Sequence, residues 1–282
     1  MNVLLTGADG QLGTALLETQ PHGANITGIT ESDCDFRDPD AIDAALSRYL
    51  PDIVINTAAY TAVDAAETDV DCARQINSEA VLAITTSLPG KLVHVSTDFV
   101  FDGLQTRPYH PDDARAPLSV YGRTKAEGEN HLRAGDLLVR TSWLYSARGR
   151  NFVRTMLQLM GREDRLRVVC DQIGGPTWAV SLAETIWGLI AKGASGTFHH
   201  CDAGVASWYD FAVAVQEEAL GLGILENAIP IVPIASEKFP TAAKRPNFSV
   251  LDCSATRTLL EDGHTHWRTN LRRMLQVERG YG

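Results

Sequence analysis

Seven residues near the start of the chain, Gly7-Ala-Asp-Gly10-Gln11-Leu12-Gly13, narrow its possible folds more than any other segment. They follow a short apolar run at residues 2–6 and open a helical stretch at residues 11–18. A GxxGxxG turn between a strand and a helix permits a tight bend and close approach of backbone to a pyrophosphate. It also turns free helix N–H groups towards the phosphates. Glycine spacing alone is a weak signal, but here it begins an alternating pattern. Residues 26–30, 52–56, 92–96, 137–140 and 166–170 read as further short apolar strands. Helical patterns lie between them: one opened by Asp38 and running towards Leu50, then 71–87, 119–133 after Pro117, and 178–191. Such alternation predicts an α/β fold, a doubly wound Rossmann-type parallel sheet with ligands at the carboxyl ends of its strands.

The tail reads differently. After Gly193 come a strand-like piece at 197–200, a helix at 207–220, a stretch punctuated by Pro230, Pro233, Pro240 and Pro246, and helical patterns at 254–261 and 267–277. We expect a smaller C-terminal α/β lobe laid over the ligand edge of the sheet. The expected division gives residues 1–142 and 166–192 to a dinucleotide-binding domain, and 143–165 and 193–282 to a substrate-binding lobe.

Bulk properties limit the function classes. The 282 residues carry a formal net charge of -10, which repels a polyanion, so nucleic acid is not an expected partner. The five cysteines, Cys34, Cys72, Cys170, Cys201 and Cys253, are dispersed without CxxC spacing, which points to a reducing, cytoplasmic compartment. No basic and apolar leader precedes the glycine turn, so a secretory signal is not expected. The most apolar helical stretch, 178–191, is short and carries Ser181, Glu184 and Thr185, so it reads as half-buried rather than membrane-spanning.

The chemistry concentrates in two places. Ser96-Thr97-Asp98 ends the fourth strand, and Tyr121 and Lys125 are four residues apart on the following helix, hence on one face. A phenol with an ordinary pKa near ~10 is a poor acid at neutral pH, and an adjacent ammonium is expected to lower that value. Thr97 would hydrogen-bond a substrate carbonyl or the Tyr121 hydroxyl, Lys125 would hold the nicotinamide ribose, and Tyr121 would deliver the proton. At the second strand, Glu31 is the candidate acid for the ribose hydroxyls. Thr30 stands where that acid would be tidiest, and Arg37 is nearby, so NADH and NADPH both remain open. Asp35 and Phe36 either flank the adenine or form a solvated loop. The small residues after the third strand, with Ala58, Ala59 and Tyr60, leave room for ribose and phosphates.

At this point the chain resembles the extended short-chain dehydrogenase/reductases, and within them the dTDP-4-dehydrorhamnose reductases. The resembling segments are GADGQLG (7–13), NTAAYTAVDAAE (56–67), VSTDFVFDG (95–103), PLSVYGRTKAEGE (117–129), VRTSWLY (139–145), NFVRTML (151–157), DQIGGPT (171–177) and TAAKRPNFSVLD (241–252). The resemblance implies reduction of the 4-keto group of dTDP-4-dehydro-L-rhamnose to dTDP-L-rhamnose by NADPH or NADH. It implies that Gly7, Gly10, Gln11, Leu12 and Gly13 bind the pyrophosphate region, and that Asp35, Phe36, Ala58, Ala59 and Tyr60 line the cofactor. Thr97, Asp98 and Trp143 would contact the sugar nucleotide, with Tyr121 as proton donor and Lys125 as its partner. Two departures stand out. Phe99 replaces a frequent tyrosine after Ser-Thr-Asp. Where some members carry an early first-helix glutamate for a magnesium-bridged dimer, this chain reads Thr14-Ala15-Leu16-Leu17, with Glu18 a turn too late. A monomer or weak homodimer without metal is therefore expected.

Other residues carry two readings. Arg245 would meet a diphosphate or serve as a surface loop arginine. Asn77, inside a helix, would relay to Lys125 through water or lie exposed. His199-His200-Cys201-Asp202 is read as structural, because neighbours on a strand face opposite ways. Competing functions are another sugar-nucleotide reductase or epimerase of the same superfamily, and a non-catalytic regulatory subunit with this fold. The intact Thr97, Tyr121 and Lys125 set argues against the latter.

Overall fold

The glycine turn joins a strand to a helix, and the same unit then repeats along the chain. The computed structural model describes residues 1–261 and 265–280; residues 262–264 and 281–282 of the expected lobe lie outside the described residues. In order come β1 (Asn2–Thr6), α1 (Gln11–Glu18), β2 (Asn25–Ile29), α2 (Pro39–Tyr49) and β3 (Ile53–Asn56). The next helix is interrupted: α3 (Val70–Arg74), a π-helical turn (Gln75–Glu79) and α4 (Ala80–Ser87). Then follow β4 (Lys91–Thr97), α5 (Val120–Glu129) and β5 (Leu137–Thr141). The second half holds β6 (Leu144–Tyr145), α6 (Phe152–Met160), β7 (Leu166–Val169), β8 (Ile173–Gly174), β9 (Thr177–Trp178), α7 (Ala179–Ala191) and β10 (Gly196–His199). It closes with β11 (Ala206–Ser207), α8 (Trp208–Gly221), β12 (Ile231–Ile234), α9 (Ser254–Leu260) and α10 (Trp267–Gly280).

Six strands form the main sheet in the order β10-β5-β4-β3-β1-β2, every pair parallel. Each position of β3 and β5 is buried, as expected for strands covered on both faces. Side chains alternate between two cores. Leu5, Ile55, Val93 and Val139 meet α1 and α7 on one face, while Leu4, Val54 and Leu92 meet α2 and α4 on the other. The chain runs outward from β1 to β2 and then crosses back to β3. The strand order therefore reverses between β1 and β3, and a crevice opens there beyond the carboxyl ends.

Three expectations are corrected. The apolar run at 166–170 does not join the main sheet: β7 pairs in parallel with β12 inside the lobe. The sixth place belongs to β10, assigned above to the lobe, which pairs with β5. An apolar strand advertises burial but not its partner, and β7 is held by the lobe core of Val153, Met156, Phe211, Val215, Leu271 and Met274. The helix expected at 119–133 stops at Glu129. Among the described residues, no helix is long and apolar enough to cross a membrane.

Candidate active site

A cavity of about 780 Å³ lies at the switch point. Its floor is the glycine turn. Gly7 has φ +66, and a Cβ there would stand 2.9 Å from the Ala58 amide nitrogen, so only glycine suits the turn. Gly10 caps α1 in extended conformation, and no side chain caps that helix. Its first N–H groups are thus left for an anion from outside the helix. Gly7, Gly10, Gln11 and Leu12 line the cavity, as do Asp35, Phe36, Ala58 and Ala59. Gly13 sits beneath the turn, against the Gly7 carbonyl. The Gln11 side chain accepts from Asn151 Nδ2 at 2.9 Å and from Ser146 Oγ at 3.2 Å, tying the turn to the lobe. Asp35 is already paired with Arg37 at 2.8 Å. This cradle fits a dinucleotide pyrophosphate.

Tyr60 is a correction. Its ring packs with Ala66, Ala73 and Val120 rather than lining the cavity. Its backbone is clamped by Asn77, which accepts from Tyr60 N at 2.9 Å and donates to Tyr60 O at 3.2 Å. Asn77 also donates to Thr124 Oγ1 at 3.1 Å, and it is 1% exposed. It is therefore neither exposed nor aimed at Lys125. Its place in the π-helical turn brings it against α5.

Thr97, Asp98, Tyr121 and Lys125 all line the cavity. Ser119 caps α5 by accepting from Gly122 N at 3.2 Å, and Glu67 accepts from Val120 N at 2.8 Å. These two caps fix the helix that carries Tyr121. Burial pushes the Tyr121 phenol up to about 12, with the Thr97 hydroxyl pulling it down and Asp98 pushing it further up. The expected lowering by Lys125 is absent in the ligand-free chain. Lys125 Nζ instead donates to Val95 O at 2.7 Å and lies 3.4 Å from His94 Nε2. Burial lowers Lys125 to about 8, opposed by Glu129. Thr97 Oγ1 donates to Asp98 Oδ1 at 3.0 Å. Burial raises the Asp98 carboxyl to about 6 against the opposing pull of the Ser249 and Thr97 hydroxyls, and its Oδ2 has no partner within hydrogen-bond distance. Thr141 Oγ1, opposite Thr97 on β5, is likewise buried without a partner. Two unsatisfied buried oxygens beside one cavity are what a polyhydroxyl ligand would complete.

Trp143 stands at φ +47, a left-handed conformation that strains a bulky residue. Its ring stacks on Trp208 with centroids 3.6 Å apart and planes 8° from parallel. Both line the cavity and form an aromatic wall. Arg245 also reaches the cavity, but its guanidinium grips Asp64 at 2.7 and 3.1 Å. His199 and His200 turn to different partners: His199 to Arg140 and the Tyr109 carbonyl, His200 to Thr185. Among the described residues, no three metal-ligating groups lie together.

Sequence reasoning missed Trp208, Arg150, Thr141 and His94. Trp208 carried a usable signal, an aromatic immediately after a serine cap. His94 carried another, a lone titratable group in an otherwise apolar strand, which demands partners when buried.

With an anion-ready turn at the switch point and a phenol held above the neighbouring strand, the molecule falls in the class of dinucleotide-dependent oxidoreductases of the short-chain dehydrogenase/reductase kind. The particular family follows from comparison. The model described as "RmlD substrate binding domain" matches residues 1–279, and the chain belongs to that family. It is similar to the dTDP-4-dehydrorhamnose reductase of Burkholderia thailandensis, 38% identical over 95% of this chain and 96% of that one. A dTDP-4-keto-6-deoxy-D-glucose reductase of Streptomyces niveus is 37% identical over 95% of this chain and 94% of that one. The crystal structure of dTDP-4-dehydrorhamnose reductase from Bacillus anthracis in complex with NADP superposes with a TM-score of 0.91 at 32% identity, over 98% of this chain and 99% of that one.

Proposed function

We propose that the protein reduces the 4-keto group of dTDP-4-dehydro-L-rhamnose to give dTDP-L-rhamnose, with NADPH or NADH as reductant. The carrying observation is the Tyr121 phenol beside Thr97, within one cavity with the glycine turn. Bound at that turn, the dinucleotide would supply hydride to the carbonyl carbon. The chain does the rest. The N terminus of α1 holds the pyrophosphate, and Ala58 and Ala59 leave room beside it. Tyr121, a phenol already protonated at neutral pH and held more firmly so by burial, which raises it to about 12, keeps its proton until a stronger base forms. The alkoxide oxygen of a reduced ketone is such a base, so the Tyr121 O–H breaks towards it and leaves a phenolate. Thr97 orients that oxygen, and Lys125 holds the nicotinamide ribose. Asp98 and Thr141 would meet sugar hydroxyls, Trp143 would stack on the sugar nucleotide, and Arg245 would meet its diphosphate.

Family membership and the Streptomyces relative favour one alternative: a 4-keto sugar nucleotide of different stereochemistry, reduced by the same residues. The reading includes a cytoplasmic protein acting as a monomer or weak homodimer on small molecules, not on nucleic acid or membrane. Five free cysteines and an α1 without acid in its first turn support it. The test is to incubate the protein with enzymatically made dTDP-4-dehydro-L-rhamnose. Absorbance loss is followed with NADPH and NADH separately, and the product sugar is identified by NMR. Rhamnose supports the reading; turnover only of dTDP-4-keto-6-deoxy-D-glucose, assayed in parallel, supports the alternative; no turnover of either substrate with either coenzyme overturns both.

A further inference from the structure

A row of polar side chains crosses the buried sheet just below the cavity. Thr6, Asn56 and His94 share one register on β1, β3 and β4. In parallel neighbours, side chains at equal register point to the same face. The three are 2%, 2% and 0% exposed, so each must find its partners within the protein. Thr6 Oγ1 donates to Asn56 Oδ1 at 2.6 Å. Asn56 Nδ2 meets His94 Nδ1 at 3.2 Å, and His94 Nε2 faces Lys125 Nζ at 3.4 Å. The far end of the row adjoins the glycine turn, because Thr57 Oγ1 donates to the Thr6 carbonyl at 2.7 Å and to the Gly7 carbonyl at 3.3 Å.

With the Asn56 amide in this orientation, counting donors assigns the protons. The Thr6 hydroxyl takes the Asn56 carbonyl, which aims the Asn56 amide N–H at His94. His94 Nδ1 therefore accepts, and the neutral ring carries its proton on Nε2. That N–H faces Lys125, and an ammonium offers no lone pair to receive it. A neutral amine does, while still donating to the Val95 carbonyl. For Lys125 to become an ammonium hydrogen-bonded to His94, the imidazole must move its proton to Nδ1. Asn56 must then turn its amide over, and Thr6 loses its acceptor.

We propose that His94 is a positioning residue for the reduction: by donating from Nε2 it holds Lys125 as the neutral amine in the ligand-free protein, so that charging Lys125 requires the whole row to reverse. The charged or titratable groups around Lys125 are few. His94 approaches from β4, and Tyr121 and Glu129 lie one turn to either side on α5. Glu129 is engaged by Arg140 at 2.7 Å, Arg115 at 3.0 Å and the Ser96 hydroxyl at 2.6 Å. Burial lowers Lys125 only to about 8, which by itself leaves an ammonium at pH 7, so the neutral amine depends on the proton that His94 donates. Burial also keeps His94 a neutral ring, well below its ordinary value. The link to turnover rests on the ribose-binding role proposed for Lys125; the proton on His94 does not.

Two measurements test this. The first uses ligand-free protein carrying ¹⁵N-histidine, with the His94 signals assigned by their loss in His94→Gln. A neutral ring protonated at Nε2 at pH 7 is expected. An Nδ1-protonated ring or an imidazolium overturns the proposal, whatever the protein turns out to reduce. The second uses Thr6→Val, which removes the donor that fixes the Asn56 amide and leaves the shape nearly unchanged. The pH midpoint at which NADPH affinity weakens should rise by roughly one unit, because the row can then reverse without leaving a hydroxyl unpaired. A structural contribution alone would weaken binding equally at every pH, and an unmoved midpoint in a folded Thr6→Val protein refutes the device. Should that variant fail to fold, the His94 resonances of the unaltered protein still decide.

Discussion

The Tyr121 ring is half-buried on the cavity wall, and its loss of solvation disfavours phenolate more than its neighbours favour it. That suits the proton-donor role proposed for it and not that of a base. Tyr121→Phe should keep NADPH affinity while lowering turnover by roughly 10²–10⁴-fold, the usual size of a general-acid contribution. Stopped-flow turnover beside equilibrium fluorescence titration checks this, and near-normal turnover would remove the role. Asp98 gives a stability prediction with a definite sign. Its folded-state pKa is raised to about 6, so its contribution is fully present at acid pH and is lost as pH rises through that value. Asp98→Asn should therefore stabilise the protein at pH 8 by about 2–3 kcal/mol and leave it unchanged near pH 4. Urea denaturation at the two pH values measures the difference. Tyr121 and Lys125 were legible because four residues on a helix is a local geometry. The direction of the Tyr121 shift was not legible, because burial is not local.

At the scale of elements, α5 is placed by contacts along its whole length. Its first turn is closed by Ser119 and by Glu67, the latter from a segment 53 residues earlier. Its last turn runs so close to the π-helical turn that a Cβ on Gly128 would stand 2.1 Å from the Asn77 carbonyl oxygen. Helix propensity predicts that Gly128→Ala stabilises by about 1 kcal/mol. The packing predicts the reverse, a loss of roughly 1–3 kcal/mol as the two helices are forced apart. Thermal unfolding decides between the two signs, and a gain in stability would show that the helices can separate without cost. The helix from 71 to 87 was readable from its apolar spacing. Its π-helical interruption was not, since that turn exists to bring Asn77 against Tyr60 and Thr124.

The whole molecule joins two units across the cavity. Arg245 of the lobe holds Asp64, which follows β3, and the Ala243 amide donates to the same carboxylate at 3.0 Å. Arg245→Ala should raise KM for the sugar nucleotide by roughly 10–100-fold, the worth of a hydrogen bond to a charged group, with NADPH affinity unchanged. Steady-state kinetics beside NADPH titration tests the split; a loss of NADPH affinity instead would place Arg245 with the cofactor. The same scale explains the misplaced strand. Nothing local to residues 166–169 separates a strand of the main sheet from one that pairs with β12.

By itself, the chain's spacing determined the glycine turn, the alternation of strand and helix, the capped start of α2, and the Tyr121–Lys125 face. Each is set by residues within a turn or two of one another. Only the tertiary structure decided which strand completes the sheet, that Tyr60 turns away, that Trp208 backs Trp143, and that His94 meets Lys125. Those outcomes depend on which distant surfaces exclude water together. Burial of that kind sets both partners and acidities, and it is a property of the folded chain rather than of any segment.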